Sequence, residues 1–231
     1  MLQMWIRCPY AYKLMHIDKL KPEPSFEMHV GTLFHEFARD FFDFLDYETL
    51  MTLNSLDDVR EHFKTFVVDQ PPVVKRLCYN FIELEAQRFW KLREQTSDPL
   101  RYFKPVATEL HVADKNLGLE GTVDRIDRML DENLAIVEYK TGSPNIRSVR
   151  LELGFYVILL QSRYPNIRYI VIYNPTHQKF HLDEVSPRLL STVRRRIAQF
   201  RRAQELGEYP PRPGLHCAWC IMKKYCKEVR E

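Results

Sequence analysis

Three charged side chains near the middle of the chain form the pattern with the clearest chemical meaning. Asp124 lies in the segment GTVDRID, and Glu138 and Lys140 lie in the segment IVEYKTG. Residues two apart on a β-strand point to the same face, so a strand through this segment puts Glu138 and Lys140 side by side. If the preceding strand pairs with it as a hairpin, Asp124 comes alongside Glu138.

The carboxylates of Asp124 and Glu138 would repel each other at one place unless a divalent cation lay between them. Bound Mg²⁺ or Mn²⁺ lowers the pKa of an attacking water and stabilises charge on phosphate oxygens. Lys140 would orient or help deprotonate that water, or screen the anionic transition state. The pattern therefore indicates phosphodiester hydrolysis, although a solvated cross-strand Glu–Lys pair is the common alternative. Glu138 follows the apolar residues 135–137, which favours a strand that emerges from a core.

Short segments of alternating or β-branched residues surround these side chains and predict strands. Turn-type stretches at 114–116 and 131–133 separate the first three segments, which is typical of an antiparallel meander. A buried strand and an edge strand follow later in the chain. The predicted strands cover residues 104–113, 118–129, 134–139, 169–173 and 180–185.

Apolar residues at helical spacing flank the predicted strands. Lys21-Pro22-Glu23-Pro24 forms a break before the first long helix, and Pro71-Pro72 interrupts the next helical region. Ser186-Pro187 has the residue types of a helix cap and a first helical position, and an arginine-rich helix follows. The predicted helices cover residues 30–45, 59–97, 149–164 and 188–202. We therefore expect an α/β fold with a central mixed sheet flanked by helices.

Composition allows one substantial core but does not identify a partner. The chain has 231 residues, 45% of them hydrophobic, and Lys+Arg 34 against Asp+Glu 31 gives a net charge of +3. A nucleic-acid surface would therefore depend on where the charges lie rather than on their sum. We expect a single domain over 1–231, with a mostly helical part (1–100), a catalytic sheet core (101–185) and a basic helix with a cysteine tail (186–231).

The sequence lacks the features of a membrane or secreted protein. It has no long apolar run, and its opening segment carries charges too early for a signal peptide. We therefore expect a cytoplasmic, soluble protein. In that compartment, an odd number of cysteines argues for metal ligation or free thiols over disulfides.

Four of the five cysteines lie near the two ends of the chain and have the spacing of a metal centre. This set fits an all-cysteine zinc site or an iron–sulfur cluster, and His216 offers a zinc site with three cysteines and one histidine. Cys78 falls on a predicted apolar helix stripe, and we interpret it as a buried small apolar residue. The four candidate ligands are Cys8, Cys217, Cys220 and Cys226.

Taken in order along the chain, these features resemble the RecB-like branch of the PD-(D/E)XK nucleases. The resemblance rests on Cys8, the segment Gly31-Thr32-Leu33-Phe34-His35, Asp124, Glu138-Tyr139-Lys140, a later helix with Tyr156, and the cysteine triplet. It implies a restriction-endonuclease-like core. It also implies metal ligation by His35, Asp124 and Glu138, and catalytic roles for Asp124, Glu138, Lys140 and Tyr156.

Two acidic residues complete the comparison with that family. The family has a glutamine four residues before the tyrosine, and here Glu152 stands in its place. A carboxylate cannot donate hydrogen bonds as an amide can, which leaves a second metal or an arginine as the expected partner of Glu152. The family often carries an acidic residue on the strand that holds Glu109, but a solvent-exposed glutamate is an equal alternative at this position.

The cysteine arrangement is similar to that of iron–sulfur RecB-like nucleases, among them the CRISPR-associated exonucleases. It implies a structural 4Fe–4S cluster on Cys8, Cys217, Cys220 and Cys226, in preference to zinc. The resemblance further implies a metal-dependent exonuclease that acts on single-stranded DNA or DNA ends. Its setting would be CRISPR spacer acquisition and antiviral defence, with CRISPR integrase proteins as partners, or DNA repair.

Two alternatives to a nuclease remain open from the sequence. A non-catalytic DNA-binding or assembly subunit of an integrase or helicase complex would retain the fold and the cluster. A zinc-stabilised protein unrelated to nucleic acid would contain zinc and would not cleave DNA. The sequence leaves open whether the protein forms a homo-oligomer.

Overall fold

Five strands form the central sheet of the computed structural model, which describes residues 2–22, 25–114 and 118–227. The strands are β1 (Ala107–Asp114), β2 (Leu119–Arg128), β3 (Leu134–Tyr139), β4 (Ile167–Asn174) and β5 (Lys179–Glu184). They are ordered β1-β2-β3-β4-β5, and every neighbouring pair is antiparallel except β3 and β4, which are parallel. The predicted mixed sheet, its opening meander and its edge strand are confirmed. Residues 115 and 116 of the predicted turn, and Glu23 and Pro24 of the predicted break, lie outside the described residues.

Helices precede the sheet, cross between its strands and follow it. The α-helices are α1 (Leu2–Arg7), α2 (Pro9–Tyr12), α3 (Phe26–Phe44), α4 (Tyr47–Thr52), α5 (Leu56–Lys64), α6 (Pro72–Gln95), α7 (Pro99–Phe103), α8 (Ile146–Leu160) and α9 (Pro187–Leu206). A π-helical turn covers Lys13–Ile17, and 3₁₀ turns cover Thr65–Val67, Pro175–His177, Leu215–Trp219 and Lys223–Tyr225. No helix in the described part of the chain has the length and apolar character needed to cross a membrane.

Side-chain caps set where several helices begin. The Ser186 hydroxyl accepts a hydrogen bond from the backbone N–H of Leu189, which confirms the predicted start of α9. Ser55 and Asn145 cap α5 and α8 in the same way, so both helices begin three residues before the boundaries predicted from apolar spacing. Apolar spacing locates the buried face of a helix, whereas the cap fixes its first residue.

The sheet separates two apolar cores. On one face, α1, α8 and α9 pack against alternate strand residues such as Ile126 and Ile136. On the other face, α3, α5 and α6 pack together with Val137, Tyr139 and Tyr173. On β3, residues of opposite parity therefore serve opposite cores, as the alternation along this strand predicts. Cys78 is fully buried in the second core, as expected for a small apolar residue.

A buried ion-pair network ties α6 to β2 within the second core. The Arg125 guanidinium donates to Glu85 Oε1 at 2.8 Å and lies 2.9 Å from Asp127 Oδ2. Arg88 donates to Glu85 Oε2 at 2.7 Å. Burial alone would raise the pKa of Glu85, but Arg125 and Arg88 outweigh it and hold that pKa below its ordinary value. The network fixes β2 one residue away from Asp124.

We predict that Glu85→Gln lowers the free energy of unfolding by about 3–5 kcal/mol, because it removes one partner of a buried charge pair. Urea unfolding of the variant and the wild type measures the difference. Glu83→Gln, on the same helix, is the matched control: Glu83 binds Arg60 at the partly exposed surface, so its loss is expected to be much smaller. Equal losses in the two variants would contradict a buried network.

Candidate active site

The β2–β3 hairpin brings Asp124 and Glu138 together. Arg125 pairs with Val137, and continuing that register by one residue places Asp124 opposite Glu138. Asp124 Oδ2 accepts a hydrogen bond from the backbone N–H of Tyr139 at 2.7 Å. The carboxylate thereby takes the place of a backbone acceptor and holds the end of β3. Its second oxygen, Oδ1, remains for other partners.

His35 reaches the same place from α3. Its Nδ1 atom lies 3.2 Å from Asp124 Oδ1 and 3.8 Å from Glu109 Oε1. One ligand atom from each of these three side chains lies within 4.8 Å of the other two. The structure therefore brings Glu109, whose placement the sequence left open, to the candidate site.

The backbone at Glu109 is unusual. Glu109 lies between Thr108 and Leu110, which pair with Arg125 and Val123, so it sits opposite Asp124 in the β1–β2 register. Its φ of 44° is in the left-handed region, which residues other than glycine seldom adopt. Such strain concentrates at functional sites, because the surrounding structure must enforce it. Here it accompanies an acidic side chain that faces His35.

Glu138 is a buried carboxylate with one unused oxygen. Its Oε1 accepts a hydrogen bond from Lys140 Nζ at 2.6 Å, whereas its buried Oε2 has no hydrogen-bond partner among the described residues. Burial, Asp124 and Glu152 all raise the pKa of Glu138 well above its ordinary value. Glu138 is not part of the group formed by His35, Glu109 and Asp124, but its register position opposite Asp124 and its oxygen without a donor suit a further ligand to a divalent cation.

Lys140 is held between two carboxylates. Its Nζ atom lies 2.6 Å from Glu138 Oε1 and 3.1 Å from Glu152 Oε2. Burial would lower the pKa of Lys140, but the two glutamates outweigh it and raise the pKa above its ordinary value. Lys140 is therefore an ammonium ion at neutral pH in this state. That favours charge screening or water orientation over proton abstraction by this side chain.

Helix α8 contributes Glu152 and Tyr156 to the same region. The partners of Glu152 are Lys140 and Gln3, so the expected arginine is not its partner among the described residues. Sequence reasoning missed Gln3, because 149 positions separate it from Glu152 and no periodic pattern links the two. The ring of Tyr156 packs on Gly121, where an added Cβ would lie 2.6 Å from Tyr156 Cε1. Burial raises the pKa of Tyr156, so its hydroxyl is neutral and able to donate a hydrogen bond.

The four outer cysteines line one small pocket together with His216. All five cysteines are free thiols. Backbone N–H groups of Arg212 and Gly214 approach Cys8 Sγ and Cys217 Sγ, each at 3.4 Å. Burial raises the pKa of Cys220, and the other three thiols in the pocket add to the effect. Such hydrogen bonds to sulfur are typical of the surroundings of thiolate ligands, so the pocket fits a thiolate-bound metal centre.

The mixed sheet and its flanking helices define the class of restriction-endonuclease-like α/β folds. The model of the PD-(D/E)XK nuclease superfamily matches residues 2–227, so the chain belongs to this superfamily. Nucleases of this superfamily use divalent metals, and the group of His35, Glu109 and Asp124 could bind one.

Comparison with solved structures and curated proteins adds three findings. A protein from Eubacterium rectale named "Putative exonuclease" is 13% identical, with a TM-score of 0.47 over 96% of this chain and 80% of that chain. The protein SSO0001 is 14% identical, with a TM-score of 0.35 over 87% of this chain and 98% of that chain. No curated protein matches the chain.

The charge state of His35 gives this site a pH dependence. Burial lowers the pKa of His35, but its contacts with Asp124 and Glu109 outweigh burial and raise the pKa to about 10. A group whose pKa rises on folding contributes stability that is fully present below its unfolded pKa and lost as the pH passes the folded pKa. For metal-free protein, the relevant window runs from about pH 6.5 to about pH 10.

We predict that, in EDTA, the free energy of unfolding of the wild type falls across this window by about 1–3 kcal/mol more than that of His35→Asn. Urea unfolding at several pH values measures the difference. His111→Asn is the control, because His111 is an exposed histidine on β1 and its loss should leave the wild-type slope. A His35→Asn protein with the same slope as the wild type would contradict the assigned contacts.

Proposed function

We propose that this nuclease is a metal-dependent DNA exonuclease that acts on single-stranded DNA or DNA ends. The observation that carries the proposal is the buried Oε2 atom of Glu138, which has no donor among the described residues and belongs to a carboxylate that the β2–β3 register places opposite Asp124. A divalent cation would satisfy this oxygen and relieve the repulsion between the carboxylates. Membership of the PD-(D/E)XK superfamily supports the same chemistry.

Each residue of the cluster has a role in this proposal. His35, Asp124 and Glu138 would hold Mg²⁺ or Mn²⁺, which supplies a water of lowered pKa and neutralises phosphate charge when bound. Glu109 adds a further acidic group near His35. Lys140, kept protonated by its two glutamates, stabilises negative charge on the phosphate oxygens. Tyr156, whose raised pKa keeps its hydroxyl neutral, would donate a hydrogen bond to the substrate.

For the cysteine pocket, we propose a structural 4Fe–4S cluster bound by Cys8, Cys217, Cys220 and Cys226. The pocket joins the N-terminal segment, through Cys8, to the C-terminal tail, and Ala11, Leu14 and Met222 pack together beside it. A metal centre at this place closes a loop that spans almost the whole chain and so restricts the unfolded state. Zinc on the same four thiols is the alternative.

The biological role of the nuclease is part of the same proposal. A nuclease that acts on DNA ends would serve CRISPR spacer acquisition, with integrase proteins as partners, or DNA repair. Glu152, which stands where the family has a glutamine, forms an ion pair with Lys140 and so holds the lysine in place. This contact favours a catalytic protein over a non-catalytic subunit.

Cleavage of end-labelled DNA tests the catalytic role. We expect metal-dependent shortening of single-stranded DNA in Mg²⁺ or Mn²⁺ but not in EDTA, with a loss of about 10²-fold or more in Lys140→Ala. Lys91→Ala is the control, because Lys91 is an exposed lysine on α6 and its loss should leave the rate unchanged. Cleavage that survives EDTA, or a folded wild type that never cleaves, would contradict the proposal and favour a binding subunit.

Metal analysis tests the cysteine pocket. Anaerobically purified protein is expected to contain iron and acid-labile sulfide in equal amounts, and Cys220→Ser is expected to lose both together with the visible absorbance. Cys78→Ala is the control, because Cys78 lies on α6 outside the pocket and should leave the iron content unchanged. Stoichiometric zinc without sulfide would overturn the cluster and leave a zinc site.

A further inference from the structure

One oxygen of Glu152 is shared by two donors from opposite parts of the chain. Glu152 Oε2 accepts a hydrogen bond from Gln3 Nε2 at 2.9 Å and lies 3.1 Å from Lys140 Nζ. Gln3 Nε2 also lies 3.5 Å from the backbone carbonyl oxygen of Ser148, one helical turn earlier on α8. A carboxylate oxygen has about two acceptor positions, so both positions of Oε2 are taken.

Gln3 is held at this place by its own helix. On either side of it, Leu2 and Trp5 are buried. The Trp5 ring packs edge-on against Phe200 of α9, with 5.5 Å between ring centroids. Helix α1 then leads directly to Cys8, which lines the cysteine pocket. The amide of Gln3 is therefore presented to α8 by a packed element and not by a loose terminus.

The chemistry of the Gln3 side chain suits this position. Glu152 Oε2 is one of the two carboxylate oxygens that contact the Lys140 ammonium, the other being Glu138 Oε1. A lysine or arginine at position 3 would compete for the negative charge of Glu152, whereas the neutral amide of glutamine donates a hydrogen bond without cancelling it. Without the Gln3 amide, the Glu152 carboxylate would keep Lys140 as a partner but would lose the second contact that fixes its orientation.

We propose that Gln3 is a positioning residue for Lys140 and acts through Glu152. The proposal rests on the nuclease function proposed above. Gln3 fixes the Glu152 carboxylate so that Oε2 faces the Lys140 ammonium, and the ammonium in turn keeps its place beside the acidic cluster. Helix α1 is thereby coupled to the candidate active site through the hydrogen bonds of Gln3 to α8.

Four proteins test this: the wild type, Gln3→Ala, Glu152→Gln and the double variant. An amide at position 152 can accept a hydrogen bond from Lys140 but carries no charge that must be restrained. We therefore expect Gln3→Ala to lower kcat about 10-fold, with KM for DNA within about twofold, when residue 152 is the native glutamate. In the Glu152→Gln background, Gln3→Ala should change kcat by less than about twofold.

A matched control comes from another glutamine that donates to a glutamate. Gln87 Nε2 donates to Glu83 Oε1 at 2.6 Å on the surface of α6, so Gln87→Ala removes the same kind of contact elsewhere. It should leave kcat unchanged. An equal fall in kcat for Gln3→Ala in both backgrounds would mean that Gln3 only supports α1, and would overturn the proposal.

Urea unfolding of the same four proteins in EDTA separates this proposal from the nuclease assignment, because it needs no cleavage. Because Gln3 and Glu152 are in contact, the shift of the unfolding midpoint in the double variant should differ from the sum of the shifts in the two single variants. Additive midpoints would overturn the proposal even if the wild type is an active nuclease. A wild type that cleaves no DNA but gives non-additive midpoints would sink the nuclease function, and the positioning role with it, while leaving the contact intact.

Discussion

Repulsion between carboxylates is the constraint on which this structure depends. Glu109, Asp124 and Glu138 converge at the neighbouring strands β1, β2 and β3, and Glu152 approaches from α8. Two cationic side chains, His35 and Lys140, offset part of this charge. The buried oxygen of Glu138 stays without a donor in the described chain. The protein thus maintains an arrangement whose unfavourable electrostatics a divalent cation would relieve.

Two neighbouring side chains of β2 point in different directions. Asp124 points to the candidate active site and contacts His35, whereas Arg125 points to the second core and binds Glu85 and Asp127. The buried network fixes the strand, and the fixed strand places the Asp124 carboxylate. On β3, Glu138 and Tyr139 divide in the same way between the site and the second core. The buried network in the second core therefore holds in place the strands that carry the carboxylates of Asp124 and Glu138.

The sequence predicted those parts of the site that follow from short-range periodicity. Glu138 and Lys140 share a face because they are two apart on a strand, and a tight hairpin then brings Asp124 beside them. The sequence did not decide whether Glu109 lies at the site, because its placement depends on a backbone φ of 44° that no residue pattern predicts. The partner of Glu152 was also unpredictable, because the contact with Gln3 depends on how α1 packs against α8. Long-range packing of this kind leaves no local signal in the chain.

Direct binding of Mn²⁺ tests the central claim most closely, because it addresses the acidic cluster without reference to DNA. Isothermal titration of the metal-free wild type and of Glu138→Gln compares the two affinities. The account predicts that the wild type binds Mn²⁺ and that the variant binds it at least about 10-fold more weakly, since a buried ligand oxygen has lost its charge. A wild type that binds no Mn²⁺, or a variant with unchanged affinity, would contradict the account.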